Sequence, residues 1–280
     1  SEDEDWRSEA AYDYIDKLTP GDLAWEFLRR NPDYRNAYRD LVATGRLTEA
    51  IAQESLNDGG CDFVADPRNS ALIQPIFWTP QTDPATLPFT VGPNPARHLR
   101  LRVEDLHAHA IIEHDPGLIR LVLRGEPHDV ALIGVDDARP LGAFIMFDEL
   151  TPDRLTAVER LWHAMFGKRV PPDPRLTPQR RQRARQMLRA IDARASGAIY
   201  RTVAEHLFPQ HKIDAASWVG DPIREITIRL ARDGMKLVRG GYRTLLLAHA
   251  GIADTRSRVD FSILLRHRPG RRLRATVLAT

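Results

Sequence analysis

The chain has 280 residues, 42% of them apolar and 28% charged, which is apolar material enough for one to three domains with cores of their own. Its 40 basic and 38 acidic side chains nearly cancel, at a formal net charge of +2, so neither a disordered polyelectrolyte nor a uniformly basic or acidic surface fits. A single cysteine, Cys61, excludes an internal disulfide and a cysteine-built zinc site and is typical of intracellular chains.

The longest apolar run, Pro140 to Phe147, falls far short of the roughly 20 residues that span a bilayer. The start, Ser1-Glu2-Asp3-Glu4-Asp5, is acidic, unlike a signal peptide. The expectation is a cytoplasmic protein with no membrane partner. The small net charge conceals a division. Residues 1–66 hold 16 acidic and 7 basic side chains, whereas residues 151–280 hold 11 and 26. Such asymmetry points to a polyanion at the basic end.

From Ala10 to Asn57 the pattern is helical, with Leu23, Phe27 and Leu28 on one stripe and a stop at Asn31-Pro32, because the residue before a proline is driven out of the helical region. A second helix, Asp33 to Thr44, ends at Gly45, and Thr48 caps a third that runs to Asp58-Gly59-Gly60. Residues 1–66 thus read as a small acidic helical domain. Trp25, Phe27 and Tyr34 suit its core, and with Arg29 and Arg30 they form the candidate surface toward another domain or a partner.

Residues 67–96 carry seven prolines and the aromatic residues Phe77, Trp78 and Phe89, the composition of an irregular but partly packed connector. The period then changes. Leu99 to Val103, Leu106 to Ile112, Leu118 to Leu123 and Val130 to Ile133 are short apolar stretches divided by Asp115-Pro116-Gly117 and Gly125-Glu126-Pro127. Residues 97–150 therefore read as a β-rich region, an antiparallel meander.

Helical spacing returns at Thr151-Pro152, where Leu155, Val158, Trp162, Met165 and Phe166 make one apolar face. Thr177-Pro178 repeats the start signal, and its helix buries Ala184, Met187, Leu188, Ile191 and Ala195, leaving Arg181, Arg183, Arg185 and Arg189 outside the stripe. A turn at Ser196-Gly197-Ala198 leads into a short helix, Tyr200 to Phe208. The next cannot begin before Asp221-Pro222, a good cap and first residue. Residues 151–250 thus read as a helix-turn-helix with an extended turn, followed by a basic extension, 251–280. The fold class is α+β: a small N-terminal helical domain, a central meander and a mainly α C-terminal domain.

On a helical wheel the segment from Ile223 to Arg239 sorts into two faces. Ile223, Ile226, Leu230, Ala231, Gly234, Leu237 and Val238 point one way. Arg224, Arg229, Arg232, Lys236 and Arg239 point the other, with Ile228 and Met235 among them and Glu225 placed to pair with Arg229 four residues on. A solvated arginine face is the plain reading of such a pattern. It loses weight because residues 175–250 as a whole hold 15 basic and 6 acidic side chains.

A basic third helix after a helix-turn pair suits the major groove, where arginine binds guanine in a bidentate fashion and apolar side chains meet thymine methyls. Arg224, Arg232 and Lys236 are the first candidates for base contact, with Ile228, Arg229 and Arg239 beside them. Arg181, Arg185, Arg201, Lys212 and Arg243 are the candidates for phosphates. The expected partner is double-stranded DNA.

Other chemistry is thinly represented. His107-Ala108-His109 is metal-like in spacing, but on a strand both imidazoles would lie on the solvent side. There is no glycine-rich phosphate loop, G-x-S-x-G elbow or H-E-x-x-H, and Cys61 has no identifiable base. The expectation is a protein that is not an enzyme and takes no cofactor or metal.

Several stretches together carry a family likeness. Trp25-Glu26-Phe27-Leu28-Arg29-Arg30-Asn31-Pro32 with Tyr34, Asp66-Pro67, Phe77-Trp78, Leu176-Thr177-Pro178-Gln179-Arg180, Tyr200 to Glu205, Ile228 to Gly234 and Gly240-Gly241-Tyr242 resemble the FseA-type activators of excision of integrative and conjugative elements. The likeness runs in order through most of residues 6–250. It implies an N-terminal transcriptional-regulator domain joined to an extended-turn helix-turn-helix, in an activator of excision and transfer genes. An antiactivator paralogue is a further partner it suggests, and the acidic N-terminal domain suits docking on the face of the C-terminal domain opposite the DNA, or binding RNA polymerase or an antiactivator. The alternative is an antiactivator or adaptor that binds protein with the same fold.

Overall fold

The computed structural model describes residues 5–47, 61, 64–92, 101–114, 117–135 and 139–248. The expected helix from Thr48, the turn residues Asp115-Pro116 and the basic extension 251–280 lie outside them.

A 3-10 helix, Ala10–Lys17, comes first. Helix α1 is Pro20–Leu28, opened by a capping box in which Thr19 Oγ1 accepts from the Asp22 amide at 3.1 Å while Asp22 accepts from the Thr19 amide at 3.0 Å. All nine residues of α1 are buried, so it has no apolar stripe; it is enclosed on every side. Asn31-Pro32 is a beginning as well as a stop. The Asn31 side chain accepts from the amides of Asp33 and Tyr34 and caps α2, Pro32–Ala43.

The proline-rich stretch is more ordered than its composition suggests. It contains strand β1, Leu87–Val91, an internal strand of a sheet ordered β2-β3-β4-β1-β5. The stretch read as a strand from Leu106 to Ile112 divides into a short helix α3, Val103–His107, and β2, Ala110–His114. Strands β3, Leu118–Leu123, and β4, Glu126–Leu132, form a hairpin around Arg124-Gly125, both with positive φ (57° and 81°). That is the two-residue turn whose twist matches the strands it joins, and it lies one residue ahead of the Gly125-Glu126-Pro127 turn read from sequence.

The meander β2-β3-β4 is antiparallel as expected. The whole sheet is mixed, however, because β1 runs parallel to β4 in the register Leu87↔Val130 to Phe89↔Leu132, and β5, Leu141–Ala143, runs antiparallel to β1. A parallel partner distant in sequence leaves no local signature.

Four C-terminal helices follow: α4, Thr151–Met165; α5, Pro178–Ala195; α6, Tyr200–Leu207; and α7, Pro222–Val238. The α+β class holds, with N-terminal helices, a five-stranded sheet and C-terminal helices. One apolar cluster combines Tyr12, Ile15, Trp25 and Phe27 with Leu188, Ile191, Val203, Leu230 and Tyr242, so the acidic and basic ends of the chain share a core. A second cluster joins Leu87, Phe89, Ile119 and Val130 of the sheet to Leu161 and Ala164 of α4.

Ion pairs brace the junction between these cores, around a cavity of about 70 Å³. Arg120 holds Asp129 at 2.7 Å, and Arg175 holds Asp83 at 2.8 Å and Asp173 at 2.7 Å.

Candidate nucleic-acid interface

The site is built on α5, α6 and α7. Thr177 caps α5 by accepting from the Arg180 amide, and the turn at Gly197 leads into α6. The extended turn then runs from Phe208 to Asp221, with a 3-10 segment at Trp218–Gly220. Its two ends are tied together. His211 Nε2 lies 3.0 Å from Asp221, which also caps α7 by accepting from the Ile223 amide at 2.8 Å. The Ile223 N–H and then His211 hold the Asp221 carboxyl below the usual range.

Helix α7 crosses α5 at Gly234. A Cβ there would lie 2.8 Å from Ile191 Cγ2 and 3.2 Å from the Met187 carbonyl, so only glycine permits this approach. The buried side of α7 is Thr227, Leu230, Ala231, Gly234 and Val238. Thr227 satisfies its hydroxyl on the Ile223 carbonyl, 2.8 Å away. Gly240, at φ +116°, ends the helix in the left-handed conformation that suits it.

The opposite side is open. Arg229, Arg232, Lys236 and Arg239 are all exposed, and Arg229, Lys236 and Arg239 have no ion pair among the described residues. Two residues of α7 depart from the wheel. Ile226, expected inside, is 41% exposed at the edge of the basic face. Glu225 pairs with Arg224 at 2.7 Å instead of with Arg229, since exposed pairs of this kind differ little in energy. Arg224, Ile228 and Met235 are half-buried along the other edge. Asp233 interrupts the face, held by Arg183 at 2.6 Å and Arg232 at 3.4 Å.

Lys212 in the extended turn and Arg243 beyond α7 are exposed, and Arg201 on α6 is half-exposed, 3.6 Å from Glu205. Arg181 and Arg185 lie elsewhere. Arg185 is 8% exposed and holds Asp16 at 2.6 Å, with Asp13 at 3.7 Å. Arg181 donates to the Ile15 and Leu18 carbonyls at the end of the 3-10 helix. Arg189 is buried as well, donating to the carbonyls of Trp6 and His206, and burial lowers its pKa. The sequence stripe left these arginines facing solvent; the acidic N-terminal segment covers them.

The same contact absorbs the candidate interdomain residues. Arg30 binds Asp192 of α5 through two nitrogens, at 2.8 and 2.9 Å, and Tyr12 donates to the same carboxylate at 2.6 Å. Burial works against charge on Arg30, but Asp192 and Glu26 outweigh it and keep its pKa above the ordinary value. Arg29 holds Glu26 at 2.6 Å. Trp25 stacks edge-on against Tyr34 and donates to the Asn69 carbonyl; Tyr34 donates to the Ala65 carbonyl at 2.9 Å; Phe27 is wholly buried. Asn31, which the sequence marks only as a helix boundary, donates from Nδ2 to the Val238 carbonyl at 3.0 Å. Its place before a proline marked a boundary and gave no sign of a second partner.

His107 and His109 are exposed, at the end of α3 and in the turn after it, and His107 lies 2.6 Å from Glu113. No group of three metal-ligating side chains occurs among the described residues. Nor is any described helix long and apolar enough to cross a membrane.

Residues 140–247 match the family model described as "T6SS, Transcription factor, DNA binding domain". Residues 5–58 match that described as "Proteobacterial transcriptional regulator-like domain". The first span runs from β5 through α7 and contains the whole basic face. Together the matches support a DNA-binding transcriptional regulator, with double-stranded DNA as its partner. No curated protein matches the chain.

Proposed function

We propose that the chain is a sequence-specific transcriptional activator that places α7 in the major groove and turns on genes for excision and conjugative transfer of a mobile element. The observation that carries the DNA contact is the two-sided α7, buried through Leu230, Ala231, Gly234 and Val238 and open at Arg229, Arg232, Lys236 and Arg239. A helix about 10–12 Å across fits a groove about 12 Å wide. Arg232 and Lys236 reach base edges. Arg229, Arg239, Lys212, Arg201 and Arg243 neutralise phosphates. Arg224 reads bases only by releasing Glu225. Arg181 and Arg185, already paired inside the molecule, contribute field and no contact.

The regulated genes rest on the likeness to FseA-type activators. The description of the matched C-terminal family names T6SS, so promoters of that class are a second set to test. No catalytic role or cofactor belongs to this reading, and an antiactivator or RNA polymerase would be met outside the DNA face. One observation favours the adaptor reading instead: Glu225 and Asp233 already occupy Arg224 and Arg232. A mobility-shift titration of the full chain against the element's own promoters, with unrelated DNA as competitor, decides. Retention of the promoters alone supports the activator, whereas equal affinity for both DNAs, or for neither, removes it.

A further inference from the structure

The spacing of Leu155, Val158, Trp162, Met165 and Phe166 predicts that α4 turns these side chains inward as its apolar face. The structure buries Leu161 and Ala164 against the sheet and leaves Leu155 54%, Trp162 42%, Met165 38% and Phe166 53% exposed. The Trp162 and Phe166 rings lie 5.4 Å apart, and Leu155, Trp162 and Phe166 share one side of the helix by their spacing. Lys168 Nζ lies 4.2 Å from the centre of the Trp162 ring and Glu159 stands between Leu155 and Trp162, but large apolar side chains grouped and exposed in this way mark an interaction surface.

We propose that residues 259–265 of this same chain, Val-Asp-Phe-Ser-Ile-Leu-Leu, dock on that face. These residues lie outside the described structure. Three observations select them over other occupants. First, the described chain leaves beside α4, because the Ala248 amide donates to Asp153 Oδ1 at 3.1 Å in the first turn of that helix. Second, the stretch from 249 to 258 reaches as far as about 35 Å, and α4 is about 22 Å long, so any part of the face is within range. Third, charge and apolarity match. Val259, Phe261, Ile263, Leu264 and Leu265 supply apolar side chains, flanked by Arg256, Arg258, Arg266 and Arg268. Glu149, ahead of α4, and Glu159, within its exposed side, are the acidic counterparts.

The test places p-benzoylphenylalanine at position 166 of the full chain, with position 155 as a second site, in an equal mixture of isotopically light and heavy protein. Light-to-light and heavy-to-heavy crosslinks into 259–265 are the expected result. Crosslinks joining light to heavy α4 faces would assign the face to a second copy and overturn the proposal, and so would the absence of crosslinks into 259–265. A second measurement uses Phe261→Asp with Ile263→Asp in the full chain. Hydroxyl-radical labelling of Trp162, Met165 and Phe166 should rise several-fold with the far-ultraviolet circular dichroism unchanged; unchanged labelling would also overturn it. Neither measurement involves DNA, so this inference stands or falls apart from the function proposed above.

Discussion

The side-chain amide of Asn31 joins two helix ends, its oxygen accepting from the Asp33 amide at 2.8 Å and its nitrogen donating to the Val238 carbonyl at 3.0 Å. The cap of the acidic module's second helix thereby closes the last turn of the basic helix. Asn31→Asp keeps the capping oxygen and loses the donor, bringing a negative charge to a helix C-terminus. It should cost about 1 kcal/mol through loss of the bond, and Asn31→Ala about 1–2 kcal/mol as the cap goes too. Urea unfolding of both variants separates the two contributions: an Asn31→Asp variant as stable as the parent would mean that the Val238 bond contributes nothing, and equal losses in the two variants would mean that the cap contributes nothing.

Gly234→Val should destabilise by about 1–3 kcal/mol, because the added carbons enter the space of Ile191 and Met187 and overpack a filled contact. Since α7 must shift to admit them, DNA affinity should fall even under conditions where the variant is fully folded. The urea midpoint and a mobility shift at low temperature read the two effects separately.

The open face and the paired arginines should respond oppositely. Lys236→Ala should weaken cognate DNA binding by about 1–3 kcal/mol while changing unfolding free energy by less than about 0.5 kcal/mol. Arg229→Ala should lower the slope of log affinity against log salt by about one. Arg30→Ala leaves the half-buried Asp192 carboxylate without its cation, while Glu26 keeps Arg29, and should cost about 3 kcal/mol of stability. Fluorescence anisotropy across a salt series, beside thermal unfolding, compares all three. Unchanged affinity in both surface variants would move the DNA contact away from α7.

Burial, and then the neighbouring Arg160, push His128 down to about 4 from an ordinary 6.5. Its Nε2 is buried without a hydrogen-bond partner among the described residues. Between these two values the unfolded chain binds a proton that the folded chain does not, so stability falls as pH drops from about 6.5 toward 4. His128→Gln should flatten that part of the curve. Urea midpoints from pH 7 to pH 4 for parent and variant test it, and parallel curves would assign the acid sensitivity to other groups.

Much of this architecture can be read locally. Thr177-Pro178 and Asp221-Pro222 open helices where their chemistry says they should, and the wheel places Leu230, Ala231 and Val238 inside and Arg229, Lys236 and Arg239 outside. What a local reading misses is the second neighbour. The face of α5 carrying Arg181, Arg185 and Arg189 resembles a solvated surface until the N-terminal segment is laid over it, and the sequence does not say which carboxylates will arrive. Strand β1 is hidden for a related reason: Pro88 interrupts its pattern, and its β4 partner comes about 40 residues later. The exposed side of α4 is the converse, an apolar pattern that names a face without naming its cover.

The contact of Asp13 and Asp16 with Arg185, on the covered side of the helix layer, fixes the direction in which charge is separated. Among the described residues the helix layer is a polarised body, with Asp13 and Asp16 on the side of α5 away from α7 and the open cations on α7. Near any polyanion such a body experiences a torque at distances comparable to the Debye length, roughly 8 Å at physiological salt. It turns its α7 side forward before contact, which narrows the orientational search that slows most macromolecular encounters.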